Sequence, residues 1–228
     1  MMMSDVLIVS ATRLEILPLL QYFGIGVTAD SDVELISLPN TKASVLITGV
    51  GIHRMTFSLT AALHHIKPGL LINAGLAGSF DSESIKTGDL VTVSRDRFGD
   101  LGAEDKDGSF LDIYDLGLDA LSNPFMKDGW ITPAPVKYFG DHRQVTSITV
   151  NKVHGSDESI KKIKAKYNPD TESMEGAAFH FVACKMNIPS VQIRTISNYV
   201  EPRNRNNWKI NDAVQILNER LISFVDSL

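Results

Sequence analysis

Cysteine is nearly absent from this chain, since Cys184 is its single thiol and no internal disulfide can form. Cys184 lies in an apolar, helix-like stretch, which favours a buried and inert thiol over a nucleophile. Basic residues are not in excess either: 22 Lys and Arg stand against 27 Asp and Glu, a net charge of −5. Because no dense Lys/Arg run occurs, we expect a small-molecule partner and no nucleic acid.

Long hydrophobic runs are missing as well. The apolar run at residues 5–11 is too short for a membrane span and lacks the flanks of a signal segment, so we expect no membrane contact and a cytoplasmic location. No Pro-, Gly- or Ser-rich linker divides the chain, and 43% hydrophobic residues can supply a large core. Residues 1–228 are therefore predicted to form a single domain.

Motifs of several common active sites are absent. The six histidines show no HxxxH, HExxH or Cys/His ligand spacing, which predicts no metal site, and His180 is expected to pack in the core. There is no GxSxG elbow for a serine hydrolase. The glycines at 49–51 and 75–78 match neither the dinucleotide fingerprint nor the P-loop. We therefore predict no metal and no organic cofactor.

Short apolar runs alternate with helix-like stretches, which is typical of an α/β protein. Strands are predicted at 5–11, 33–38, 43–48, 69–73, 90–94, 145–150 and 190–196, and helices after residue 12, at 52–66, after residue 156, at 175–186 and at 208–228. The strand at 69–73 is expected to open into the glycines at 74–78, a transition that suits a ligand site but is also common in tight turns. The charged stretch 95–108 is interpreted as a solvated loop, a pocket lid or a subunit contact. The region up to residue 136 has no clear pattern.

Polar residues follow two of the predicted strands. Thr12 and Glu15 have capping-box spacing, yet Glu15 also lies just after a strand, where open α/β sheets bind ligands. Arg194 and Asn198 stand at the end of the strand at 190–196. Glu175 opens the preceding helix, where an acid is also favoured by the helix dipole alone. Each carboxylate therefore has a structural and a functional interpretation.

Three segments together resemble the nucleoside phosphorylase and nucleosidase superfamily. They are the first strand with Glu15, the segment Asn73-Ala-Gly-Leu-Ala-Gly78, and Glu172-Ser-Met-Glu-Gly-Ala-Ala178 with Arg194-Thr-Ile-Ser-Asn198. The resemblance covers nearly the whole chain. It implies a three-layer α/β/α fold with a central mixed β-sheet, a nucleoside substrate, and a homo-oligomer in which a neighbouring subunit often completes the pocket.

The resemblance also implies roles for individual residues. Cleavage of an N-glycosidic bond passes through an oxocarbenium-like sugar and needs an activated water, a held ribose and a stabilised leaving base. Glu15 matches the water-activating glutamate, with Arg194 as its orienter, and Glu175 beside Met174 matches the ribose-binding glutamate. Gly75 and Gly78 would let backbone amides approach the ligand. Leu76 replaces the small hydroxyl residue that nucleosidases often carry there.

Two further segments, 96–105 and 197–205, resemble the futalosine hydrolases of this superfamily, which release hypoxanthine in menaquinone biosynthesis. Futalosine carries a carboxylated aromatic ketone on its 5′ side. For this group we expect an apolar wall that includes Phe98, with Arg203 or Arg205 as the cation. Exposed loop charges are the alternative interpretation of both arginines.

Asn198 carries the most information about the base. Adenosine-cleaving members have an aspartate there, whereas an amide can donate to O6 and accept from N7–H of a 6-oxopurine. The sequence therefore favours hypoxanthine release by water. Cleavage of methylthioadenosine or S-adenosylhomocysteine, phosphorolysis of a 6-oxopurine nucleoside and nucleoside binding without catalysis remain the alternatives. Glu15 argues against phosphorolysis because it would repel phosphate, and Glu15 with Glu175 argues against mere binding.

Overall fold

The computed structural model describes residues 5–26, 33–118 and 124–228. The strands are β1 (Val6–Ser10), β2 (Glu34–Ser37), β3 (Ala43–Ile47), β4 (Leu70–Ser79), β5 (Leu90–Phe98), β6 (Gly102–Glu104), β7 (Phe110–Asp112), β8 (Met126–Lys127), β9 (Trp130–Ile131), β10 (Arg143–Thr149), β11 (Thr171–Ser173) and β12 (Ser190–Tyr199). The helices are α1 (Arg13–Tyr22), α2 (Ile52–His65), α3 (Asp157–Tyr167), α4 (Gly176–Lys185) and α5 (Ile210–Val225). Strands and helices alternate in the first and last parts of the chain, whereas β4 to β10 follow one another without a helix among the described residues.

Ten of the described strands form one mixed sheet. Its order is β2-β3-β1-β4-β11-β10-β5-β9-β8, and β12 pairs with both β4 and β5. Strand β1 runs parallel to β3 and β4, whereas β11 is antiparallel to β4. Because β12 bridges β4 and β5, the strands β4, β11, β10, β5 and β12 close into a ring.

Helices cover both faces of the sheet. Ile8 of β1 packs with Leu19 of α1 and Leu217 of α5, whereas Leu7 faces the opposite side with Leu59 of α2 and Phe179 of α4. This alternation is the period-2 pattern of a strand that is buried on both faces. The predicted three-layer α/β/α arrangement with a central mixed sheet is therefore confirmed.

Two local predictions were wrong. The strand predicted at 69–73 does not end before the glycines, because β4 continues to Ser79 with β12 paired along it from Leu71 onward. Likewise Arg95–Phe98 belongs to β5, where β10 supplies the partner up to Phe98, and part of the following charged stretch forms β6. In both places hydrogen bonds from a strand distant in sequence overrode the local glycine and charge signals.

The strand topology gathers the predicted polar residues at one edge. Strand β1 runs parallel to β3 and to β4, and β12 runs parallel to β4. The carboxyl ends of these four strands therefore lie at the same edge of the sheet. Glu15, Gly51 and Asn198 follow these ends or lie within them. Within the described ranges, no helix has the length and apolar character needed to span a bilayer.

Candidate active site

A cavity of about 270 Å³ opens at this edge of the sheet. It is lined by Glu15 from α1, Gly78 from β4, Met174 and Glu175 before α4, and Asn198 from β12. Five of the predicted site residues, distant in sequence, are thus brought together. The volume approaches that of a small-ligand pocket, which begins near 300 Å³.

Glu15 contributes both to the helix cap and to the cavity. Its Oε2 accepts hydrogen bonds from the backbone N–H of Thr12 at 3.0 Å and from the Thr12 hydroxyl at 2.8 Å, which completes a capping box. Its Oε1 accepts from the backbone N–H of Leu76 at 3.1 Å. The structural and functional interpretations are therefore compatible, because the cap holds the carboxylate in place at the cavity wall.

Glu175 is directed away from its own helix. It is the N-cap residue of α4, yet its side chain makes no cap hydrogen bond. Instead Oε1 accepts from the backbone N–H of Gly51 at 2.9 Å, at a glycine with φ of 99° that other residues rarely adopt. Burial raises the pKa of the Glu175 carboxyl, the Arg194 guanidinium opposes this rise, and the Glu15 carboxylate adds to it.

Arg194 lies behind the cavity rather than in its wall. Its side chain is buried, with Nε donating to Oε1 of Gln192 at 2.9 Å and Nη2 donating to Oδ1 of Asn73. A Cβ on Gly75 would collide with Nη1 of Arg194 and would lie 3.0 Å from Oε1 of Glu15. Gly75 is therefore needed for close approach of these side chains, and Arg194 acts on the site through its position and charge.

A hydrogen-bond network of buried polar side chains lies behind Arg194 and was not predicted from the sequence. Gln192 donates from Nε2 to Oδ2 of Asp96 at 3.0 Å, and Thr149 donates to Oδ1 of the same carboxyl at 3.0 Å. Burial raises the pKa of Asp96 to about 6, although these hydrogen bonds and the charge of Arg194 oppose the rise. The one local signal was Gln192, a polar residue between the apolar Val191 and Ile193 of the predicted strand.

Asn198 reaches the cavity because β12 contains an extra residue. The register pairs Ile196 with Ala77 and Asn198 with Gly78, so Ser197 is bulged out of the ladder. Oδ1 of Asn198 accepts from the Ser197 hydroxyl at 2.8 Å, and Nδ2 donates to the carbonyl of Tyr199 at 3.0 Å. One N–H and one oxygen lone pair of the amide are left for a ligand.

Glu172 is a cavity residue to which the sequence analysis gave no role. Its buried side chain lines the main cavity and also an adjoining cavity of about 80 Å³. Nδ1 of His154 lies 2.6 Å from Oε2, and the backbone N–H of His154 donates to Oε1 at 3.1 Å. The sequence signal for this residue is the first carboxylate of the ESMEG sequence, three residues before Glu175.

Besides Gly75 and Arg194, three predicted residues do not line the main cavity. Phe98 lies at a separate small cavity beside Arg97 and Met126. Arg203 lines the adjoining cavity next to Glu172, with its guanidinium 5.0 Å from the Trp208 ring centroid. Arg205 is exposed and lines none of these described cavities. The expected placements of Phe98 and Arg205 are therefore corrected, because Phe98 ends strand β5 beside a different cavity and Arg205 begins an exposed 3-10 turn.

His180 and Cys184, to which the sequence gave no catalytic role, lie in helix α4 away from the main cavity lining. His180 is fully buried, as predicted, and burial lowers its pKa to about 3, so it stays neutral. Cys184 was expected to be buried but is partly exposed, and its partial burial raises the pKa of the thiol, which disfavours the reactive thiolate. Among the described residues, no cluster of three or more His, Cys, Asp or Glu side chains could hold a metal ion.

Comparison with known proteins identifies relatives over most of the chain. A model described as the phosphorylase superfamily matches residues 5–228. The chain is 31% identical over 155 residues to futalosine hydrolase from Streptomyces coelicolor, a match that covers 66% of this chain and 62% of that protein, less than two thirds of its length. It is 26% identical over 216 residues to 5′-methylthioadenosine nucleosidase from Arabidopsis thaliana, covering 87% and 76%.

Solved structures show the same fold. The native futalosine hydrolase of Helicobacter pylori superimposes with a TM-score of 0.74, covering 100% of this chain and 99% of that one. The two sequences are 19% identical. At this identity the likeness concerns the fold, and the chemistry must be argued from the side chains in the cavity.

Proposed function

Because the chain belongs to the phosphorylase superfamily, we propose that it is an enzyme that hydrolyses the N-glycosidic bond of a purine nucleoside. We assign futalosine as the substrate and hypoxanthine as the released base, a reaction of menaquinone biosynthesis. The observation that carries the proposal is the joint presence of Glu15, Glu175 and the amide of Asn198 around one cavity.

Glu15 is assigned as the residue that activates water. Its two oxygens are held by backbone N–H groups of Thr12 and Leu76, so the carboxylate is positioned before any ligand arrives. A positioned carboxylate can remove a proton from water as the water attacks the sugar carbon, which typically contributes 10²–10⁴-fold to the rate. Leu76 has no hydroxyl at this position, and its contact with the Glu15 carboxylate is made by its backbone N–H.

Glu175 is assigned to the ribose. Its Oε1 is held by Gly51, which leaves the second oxygen for ribose hydroxyls. A carboxylate–hydroxyl hydrogen bond strengthens as positive charge grows on the sugar ring, so this contact favours the transition state. Met174 lies beside it in the same wall and offers an apolar surface for the sugar.

Asn198 is assigned to the leaving base. Its free N–H can donate to O6 of hypoxanthine, and its free lone pair can accept from N7–H. The amide cannot itself act as the acid at N7, so that proton comes from water, or the base leaves as an anion held by these contacts. The apolar mouth at Leu14, Val50 and Ile210 is available to the 5′ substituent.

Phosphorolysis is disfavoured by the charge of the cavity. Among the described residues that line it, three are carboxylates, Glu15, Glu172 and Glu175, and none is lysine or arginine. Arg194 is buried behind Gly75 and already bonded to two amides. A phosphate dianion would meet negative charge without a free cation, whereas water meets no such penalty.

The test is an assay of free base released from futalosine, inosine and methylthioadenosine, each with and without phosphate. Hypoxanthine release from futalosine that is independent of phosphate supports the proposal. Adenine release from methylthioadenosine as the main activity would replace it with the nucleosidase alternative, which the long match to the Arabidopsis thaliana relative favours. Dependence on phosphate would show a phosphorylase, and no release from any substrate would leave a binding protein.

A further inference from the structure

One carboxylate in the cavity has no part in the proposed hydrolysis. Glu172 is only 4% exposed, and its hydrogen bonds in the described structure come from His154. Since an ionised carboxylate can only accept, the His154 ring donates through Nδ1–H. His154 thus orients the carboxylate but uses only part of its accepting capacity. The remaining lone pairs belong to a side chain that lines the cavity.

Glu172 and Asn198 stand on either side of one glycine. Asn198 of β12 pairs with Gly78 of β4, and Gly78 pairs in turn with Glu172 of β11. Paired residues on neighbouring strands direct their side chains to the same face of a sheet. A Cβ on Gly78 would lie 3.2 Å from Nδ2 of Asn198 and 3.8 Å from Cγ of Glu172. The same Cβ would lie 2.9 Å from Cγ2 of Val200, so the glycine leaves room for these side chains, and a donor and an acceptor flank it at the cavity wall.

We propose that Glu172 is a specificity-determining residue that accepts a hydrogen bond from N1–H of a 6-oxopurine. The assignment rests on the proposed function and specifies how that site selects its base. In a 6-oxopurine the O6 acceptor lies next to the N1–H donor, which matches the donor of Asn198 beside the acceptor of Glu172. Adenine presents the reverse order, an amino group next to an N1 lone pair. The carboxylate would face that lone pair and reject the base.

The first test measures binding of free bases to the unmodified protein by calorimetry. Hypoxanthine is compared with 1-methylhypoxanthine, which keeps O6 but cannot donate from N1. We expect the methylated base to bind at least tenfold more weakly, because a hydrogen bond to a charged group is lost. Equal affinity for the two bases would overturn the assignment. Turnover is not needed, so this outcome is distinguishable from failure of the proposed hydrolase activity in the base-release assay.

The second test is Glu172→Gln, which keeps an oxygen for the N–H groups of His154 and adds an amide donor for N1 of adenine. The ratio of hypoxanthine to adenine affinity should fall about 10- to 100-fold. Glu201→Gln is the matched control, because Glu201 lines the adjoining cavity but not the main one. An unchanged ratio in a folded Glu172→Gln protein, or an equal fall in the control, would refute the role of Glu172.

Discussion

Replacement of Glu15 by Gln separates the two contributions of this residue. The amide is nearly isosteric, but it has one accepting oxygen where the carboxylate has two. In the unmodified protein, Oε1 of Glu15 accepts from the backbone N–H of Leu76, and Oε2 accepts from the backbone N–H and the hydroxyl of Thr12. In the variant one of the two backbone N–H groups must face an NH2 group. Leaving a largely buried donor unpaired costs about 1–3 kcal/mol, which sets the expected loss of unfolding free energy.

Catalysis should suffer much more than stability. Without a carboxylate to take the proton from water, kcat for base release is expected to fall about 10²–10⁴-fold. Substrate affinity, measured by equilibrium binding, should change only a few-fold, since Glu175 and Asn198 are intact. Both quantities are measured on the same preparation, together with urea unfolding.

Glu34→Gln provides the control for this experiment. Glu34 pairs with Arg13 of the same helix α1 but does not line the cavity. The control removes one carboxylate near α1 and should lower stability by less than about 1 kcal/mol with kcat unchanged. A Glu15→Gln enzyme that keeps its kcat would refute the catalytic role and leave Glu15 as a helix cap alone.

Three other substitutions probe the rest of the site. Gly75→Ala should lower stability by about 1–3 kcal/mol and reduce kcat, because the methyl group displaces the buried Arg194 guanidinium; unfolding and turnover measured together check this. Asn198→Asp should narrow the preference for hypoxanthine over adenine in kcat/KM, and an unchanged preference would count against the amide. For Asp96 the folded pKa of about 6 exceeds the unfolded value of 3.8, so the folded state binds the extra proton. Stability from this group is present below pH 4 and lost as pH rises through 6, and Asp96→Asn should abolish that loss in unfolding curves between pH 4 and 7.

Sequence patterns predicted the parts of the site that depend on local signals. The Thr12–Glu15 spacing predicted a capping box, which the structure contains, and the position after β1 predicted a cavity residue. The apolar runs located most strands, because strands buried on both faces are short and continuously apolar. The last helix was predicted from apolar residues at helical spacing, because a helix that packs against a sheet buries one apolar face.

The parts that were missed depend on contacts between distant segments. Nothing near Gly78 indicates that β11 and β12 flank it, since those partners come about 100 residues later in the chain. The contact of Glu172 with His154, 18 residues earlier in the chain, was not expected either, because no local pattern links the two. Asp96 was read as part of a charged loop, although the ring of strands buries it completely. The burial of Asp96 was not predicted because it lies between Arg95 and Arg97 in a charged stretch of the sequence.

The bulge at Ser197 has a consequence for how base preference can change. If the same residues paired without the bulge, Ser197 would stand opposite Gly78 and Asn198 opposite Ser79, so a hydroxyl would replace the amide across from Glu172. The side chain that faces the cavity at this point thus depends on the strand register as well as on residue identity. Deletion of Ser197 itself would close the bulge and leave Asn198 opposite Gly78.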